Sequence, residues 1–114
     1  MPYLKIQTNM TISPTTELAI LRQFSETVAA ELGKQERYVM IALEAGRPMI
    51  FSGESSPTAY LELKSLGLTE ENTVALSRAL CGAVNRELSI PTDRVYIEFS
   101  SPPRPMWGWN NKTF

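Results

Sequence analysis

Histidine is absent from the 114 residues of this chain. It therefore lacks the one side chain whose ordinary pKa places its charge change near neutrality. Acid–base chemistry at pH 7 would fall to a strongly shifted carboxylate or lysine, to a thiol, or to an α-amino group. Cysteine is represented by Cys81 alone, which excludes an internal disulfide and a cysteine-built zinc site; no metal and no cofactor are expected. Neither sign of charge dominates: 11 Lys and Arg stand against 12 Asp and Glu, a net charge of −1, with no run of either. That balance offers no face for nucleic acid and no polybasic anchor for a membrane. No apolar run approaches the roughly 20 residues that cross a bilayer. The first residues lack the basic and apolar regions of a secretory signal. The expectation is a soluble, cytoplasmic protein in a reducing compartment, with release by a route independent of a signal peptide left open. One domain spanning 1–114 is expected, large enough to bury a core unaided.

Against these absences the start of the chain stands out. In Met1-Pro2-Tyr3-Leu4-Lys5-Ile6-Gln7-Thr8-Asn9, Leu4, Ile6 and Thr8 alternate with Tyr3, Lys5 and Gln7, the period of a half-buried strand. If Met1 is removed, that strand begins with the secondary amine of Pro2. An α-amino group has an ordinary pKa of about 7.7–8.0, and burial or a neighbouring lysine lowers it further. The plainer reading is a proline tolerated where a strand begins. From this stretch alone both readings stand.

Next comes a helix. Ser13 is suited to its N-cap and Pro14 to its first position. Leu18, Leu21, Phe24, Ser25, Val28 and Leu32 recur at spacings of three and four along one face, and Gly33 ends it. Tyr38 to Glu44 alternates as a second strand, so the opening segment is a βαβ unit with parallel strands. Met49-Ile50-Phe51 reads as a short edge strand before a loop through Pro57. The pattern then repeats: a strand from Thr58 to Lys64, a helix capped by Thr69 with Ser77, Leu80, Cys81, Val84 and Leu88 on its apolar face, and a strand from Val95 to Ser100. The halves fall at about 1–56 and 57–114. The fold class is α+β, a duplicated βαβ with a four-stranded mixed sheet and both helices on one face. The other sheet face would carry Tyr3, Lys5, Met40, Tyr60, Glu62, Tyr96 and Glu98, an aromatic-rich set that points to burial in an oligomer. Both tryptophans, Trp107 and Trp109, sit in a Pro- and Gly-rich tail ending at Phe114. They anchor an arm, wall a small apolar pocket, or do both.

Met1-Pro2 before a strand, Leu32-Gly33-Lys34, Ser65-Leu66-Gly67, Leu80-Cys81-Gly82, Asp93-Arg94-Val95-Tyr96-Ile97 and the run from Gly108 to Phe114 together resemble the macrophage migration inhibitory factor family of the tautomerase superfamily. The resemblance covers essentially the whole chain. It implies a homotrimer whose sheets line a central barrel, with active sites between subunits. It implies Pro2 as catalytic base after loss of Met1 and Lys34 as the residue that binds the substrate carboxylate. Leu66 stands where the family usually has an isoleucine that offers its backbone N–H. Tyr96 matches the pocket tyrosine given by the adjacent subunit, and Tyr3, Tyr38, Trp107, Trp109 and Phe114 match positions in or near the pocket.

The implied activity is keto–enol tautomerisation of aromatic α-keto acids such as phenylpyruvate, with isomerisation of dopachrome-type compounds as a second activity. The alternative is a cytokine-like binding protein whose pocket is a relic. A further alternative is a superfamily enzyme with another substrate. Three departures matter. Thr58 and Leu61 replace a Cys-x-x-Cys pair of animal members, which removes dithiol chemistry. Glu98 replaces an uncharged asparagine near the pocket mouth, where it would repel anionic substrates. Trp107 replaces a smaller aliphatic residue and would narrow the pocket. The plain readings are that Lys34 serves the helix dipole, Tyr96 packs an interface and Cys81 is a small core residue.

Overall fold

Six short strands, two long helices and three one-turn 3₁₀ segments account for most of residues 1–114, all of which a computed structural model describes. Strand β1 (Tyr3–Thr8) leads to helix α1 (Pro14–Leu32) and strand β2 (Met40–Glu44). Strand β3 (Ala59–Lys64), helix α2 (Glu70–Leu88) and strand β4 (Val95–Ser100) repeat the arrangement. The tail folds into a two-stranded hairpin of β5 (Gly108–Trp109) and β6 (Lys112–Thr113). The main sheet has the order β2-β1-β3-β4. Strands β1 and β2 pair in parallel, as do β3 and β4, because a helix carries the chain back between the members of each pair. The two halves meet through the antiparallel pairing of β1 with β3. The sheet is therefore mixed, as the sequence predicts.

Local chemistry sets the helix ends. The Ser13 hydroxyl accepts from the Thr16 N–H, Pro14 occupies the first turn, and Gly33 ends α1 at φ +62°. The Gly33 and Lys34 N–H groups donate to Ala30 and Ala29, a closure that satisfies the last carbonyls and fixes the direction in which Lys34 leaves the helix. Thr69 and Asn72 form a reciprocal capping box at the start of α2.

The core lies between the helices and one sheet face. Leu4, Ile6, Leu61 and Leu63 are wholly buried there, opposite Ile20, Phe24 and Val28 of α1 and Leu76, Leu80, Ala83, Val84 and Leu88 of α2. Each such leucine or isoleucine contributes about 1.5–3 kcal/mol by leaving water. The core differs in detail from the sequence expectation. Leu18 is 49% exposed and Leu21 and Ser25 only half-buried, because the sheet lies toward Ile20 rather than toward the Leu18 side of the helix. Likewise Ser77 and Cys81 flank the α2 contact, while Leu76 and Ala83 fill it. The second strand starts at Met40 rather than Tyr38, since Glu36–Tyr38 forms a 3₁₀ turn. The third starts at Ala59 rather than Thr58. The expected edge strand Met49–Phe51 is absent: only Phe51 bridges, to Glu54, across a tight turn.

That turn is pinned from outside. The Arg94 guanidinium donates to the carbonyls of Pro57 (2.9 Å), Phe51 (3.2 Å), Glu54 (3.3 Å) and Ser56 (3.1 Å). The Thr58 hydroxyl donates to the Arg94 carbonyl at 2.7 Å, and Leu61 is core. The two positions expected to lack dithiol chemistry therefore serve packing and a partly buried hydrogen bond.

Candidate active site

Pro2 is buried at the head of β1, and its carbonyl accepts from the Met40 N–H at 3.0 Å. The strand ladder thus holds the proline in place rather than leaving a frayed end. It lines a cleft of about 810 Å³ with Tyr3, Tyr38, Trp107 and Trp109. Arg37 and Lys64 border the same cleft, and no carboxylate does.

The aromatic wall is assembled from distant parts of the chain. The Tyr38 ring meets Trp109 edge-on with centroids 6.0 Å apart, and Trp109 stacks on Phe114 at 5.9 Å. The hairpin that presents Trp109 turns at Asn110 and Asn111, both at positive φ (51° and 65°). Two consecutive left-handed residues make the two-residue turn that suits the twist of a hairpin, and asparagine tolerates that conformation well. Of the arm and the pocket wall expected for this tail, Trp107 and Trp109 do line the cleft, and the hairpin is an addition to both. The Asn-Asn pair was its signal.

Lys34 and Leu66 lie beside this cleft rather than in it. They line a second recess, of about 380 Å³, together with Gly67, Pro102 and Arg104. Pro102 borders both spaces, so the recess and the Pro2 cleft adjoin. Gly67, at φ +79°, provides the left-handed residue that the turn after β3 requires. The Leu66 side chain is buried, while its backbone N–H donates to no group in the chain. Lys34 is exposed and enters neither of the chain's two ion pairs, Lys5–Glu62 and Arg47–Glu44. The electrostatic reach of these cations is visible at the chain start. The α-amino group of Met1 is held below its ordinary value, first by burial and then by Lys34 and Arg104. Arg104, Arg37 and Lys64 were not singled out from sequence. Only the rigid setting of Arg104 between Pro103 and Pro105 marks it there.

Tyr96 and Glu98 are not brought to Pro2 within one chain. Tyr3 pairs with Lys64, and Lys64 with Ser100. Tyr96 therefore lies two strands across and four residues down β4 from the level of Tyr3, more than ~15 Å away at ordinary strand spacing and rise. Both residues occupy the sheet face that no helix covers. Tyr96 is 65% exposed and meets the Phe51 ring at 4.7 Å; Met40, on the opposite edge strand, is 66% exposed. On the same face the Tyr60 hydroxyl is placed to donate to Glu62 (3.2 Å) or Glu98 (3.4 Å).

No helix is long and apolar enough to cross a membrane, and no group of acidic and cysteine side chains is placed to hold a metal ion.

Comparison with known proteins agrees with this architecture. The model of the family described as macrophage migration inhibitory factor matches residues 1–114. A macrophage migration inhibitory factor homologue of Brugia malayi is 36% identical over 115 aligned residues, covering 100% of this chain and 99% of that protein. The crystal structure of a homologue from Prochlorococcus marinus superposes with a TM-score of 0.91 at 41% identity, covering 98% of each chain. A Toxoplasma gondii macrophage migration inhibitory factor superposes with a TM-score of 0.90 at 29% identity, covering 98% of this chain and 99% of that one. With the duplicated βαβ sheet, the buried Pro2 and the match over its full length, this chain belongs to the macrophage migration inhibitory factor family.

Proposed function

We propose that the protein is a keto–enol tautomerase of aromatic α-keto acids, phenylpyruvate among them, and that Pro2 is its general base once Met1 has been removed. The observation that carries this reading is the setting of Pro2: buried, held by the β1–β2 ladder, walled by aromatic rings and ringed by cations without a carboxylate. A secondary amine in that setting would favour its neutral form at working pH, because burial and adjacent cations both penalise the ammonium. The neutral nitrogen takes a proton from the carbon next to the ketone, and the ammonium so formed gives a proton back to the enolate oxygen, directly or through water, which yields the enol and restores the base. Lys34 and the undonated Leu66 N–H bind the carboxylate and stabilise charge developing toward the carbonyl. Tyr38, Trp107 and Trp109 hold the ring, with Tyr3 and Phe114 supporting that wall. Dopachrome-type compounds, with an aromatic-sized ring and a carboxylate, suit the same space.

Tyr96 enters this scheme from a second copy of the chain. Its distance from Pro2 and the exposure of Met40 and Tyr96 on the uncovered sheet face support a homotrimer in which that face is buried and the sites lie between subunits. Glu98 of the neighbouring copy then stands near the pocket mouth.

The test is turnover of phenylpyruvate by the processed protein and by Pro2→Gly, which replaces the secondary amine by a primary one. Loss of about 10²-fold or more in kcat, the usual scale for a general base, supports the reading. Equal activity in both proteins refutes it, and absence of turnover in both favours the cytokine-like alternative.

A further inference from the structure

Two unpaired cations share the small recess beside Pro2. Arg104 and Lys34 both line it, no carboxylate does, and neither side chain takes part in an ion pair or a side-chain hydrogen bond within the chain. Arg104 is not there by accident of a floppy tail. It opens a 3₁₀ turn, flanked by Pro103 and Pro105, in which the Met106 and Trp107 N–H groups donate to Pro103 and Arg104. The prolines fix φ on either side of it, so the backbone that aims the guanidinium is stiff. Lys34, Leu66 and Gly67 also line a further recess, toward α2, which Glu31 and Glu71 share, but neither carboxylate makes an ion pair with Lys34. Placing two like charges at one concavity of a chain with net charge −1 leaves a local field that a single carboxylate neutralises only by half.

We infer that Arg104 is a specificity-determining residue that recognises a second acid group, so that this site prefers a 2-oxo dicarboxylate over a monocarboxylate. One carboxylate lies on Lys34 and the Leu66 N–H; the other takes the planar, two-pronged donor set of the guanidinium. The methylene between ketone and second carboxylate then faces the adjoining Pro2 cleft across Pro102. The chemistry rests on the tautomerase reading of Pro2, whereas the charge preference rests on the recess alone.

The test compares oxaloacetate with 2-oxobutyrate, four-carbon 2-oxo acids that carry two carboxylates and one. Binding is read from quenching of Trp107 and Trp109 fluorescence in the assembled, processed protein. Oxaloacetate is expected to bind about tenfold more tightly at low salt, an advantage that shrinks as salt screens it. Arg104→Ala is expected to bring the ratio near one, and Arg104→Lys to restore part of it. Equal affinities in the unmodified protein would overturn the inference, as would an Arg104→Ala variant that weakens both ligands equally. Because the exposed Arg104 side chain bonds to nothing in the chain, either variant should fold. Turnover of phenylpyruvate without a dicarboxylate preference overturns this inference and leaves Pro2 as base. A dicarboxylate preference without tautomerisation does the reverse.

Discussion

The ring of Tyr38 meets the ring of Trp109 edge-on at 6.0 Å. This contact ties the 3₁₀ turn after α1 to the C-terminal hairpin and so closes the aromatic side of the Pro2 cleft. Trp109→Ala should open that wall. The expected result is a rise of about tenfold in KM for phenylpyruvate with a smaller change in kcat, and a stability loss of about 1 kcal/mol from the two ring contacts. Steady-state kinetics and urea denaturation check both. An unchanged KM would remove Trp109 from the ring-binding wall.

Arg94 serves structure rather than substrate. Its guanidinium bonds four carbonyls of the segment between β2 and β3, and hydrogen bonds from charged donors count among the stronger ones. Arg94→Ala is expected to cost about 2 kcal/mol or more, read as a lower urea midpoint, with the β1–β3 ladder still intact in amide exchange. Full stability in the variant would show that the loop holds itself.

The uncovered sheet face has a pH signature. Burial, and then the carboxylates of Glu62 and Glu98, push the Tyr60 phenol up to about 12. The folded state therefore favours the neutral phenol. That contribution to stability is complete below the unfolded pKa of about 10 and is lost as pH rises through about 12. Tyrosinate absorbance should show one phenol titrating late, and Tyr60→Phe should flatten the alkaline fall in stability. Absence of any late-titrating phenol, or a late phenol that persists in Tyr60→Phe, would contradict the placement of Tyr60 between two carboxylates.

Glu98 tests the intersubunit arrangement. Within one chain it is remote from Pro2, so a change there reaches the pocket only if a neighbouring copy presents it. Glu98→Asn is expected to lower KM for phenylpyruvate roughly threefold, the size of a screened surface charge interaction of about 0.7 kcal/mol. No gain would leave Glu98 outside the pocket mouth.

The elements most legible in the sequence are those governed by neighbours along the chain. Leu4, Ile6 and Thr8 alternate with polar residues and are buried as that period requires; Ser13, Pro14, Gly33 and Thr69 cap the helices where their chemistry allows. The structure departs from the local pattern where a distant surface decides the outcome. Leu18 and Ile20 both fit a helical stripe through Phe24 and Val28, and only the position of the sheet decides for Ile20. Tyr38 alternates properly with its successors but turns as 3₁₀ before β2 begins. At the site, Pro2 and Lys34 stood out through the family resemblance. Arg104 did not, because its partnership with Lys34 arises from two loops that meet only in three dimensions. Tyr96 could be placed on the correct sheet face, yet its separation from Pro2 followed only from strand order and register.

The most direct test of the account is the rate of phenylpyruvate tautomerisation by two preparations whose masses establish that Met1 is absent from one and retained in the other. With Met1 retained, the Pro2 nitrogen is an amide and holds no lone pair basic enough to take a proton. The account predicts turnover by the first preparation and none above background by the second. Equal turnover by both would contradict Pro2 as the base and require another group to move the proton.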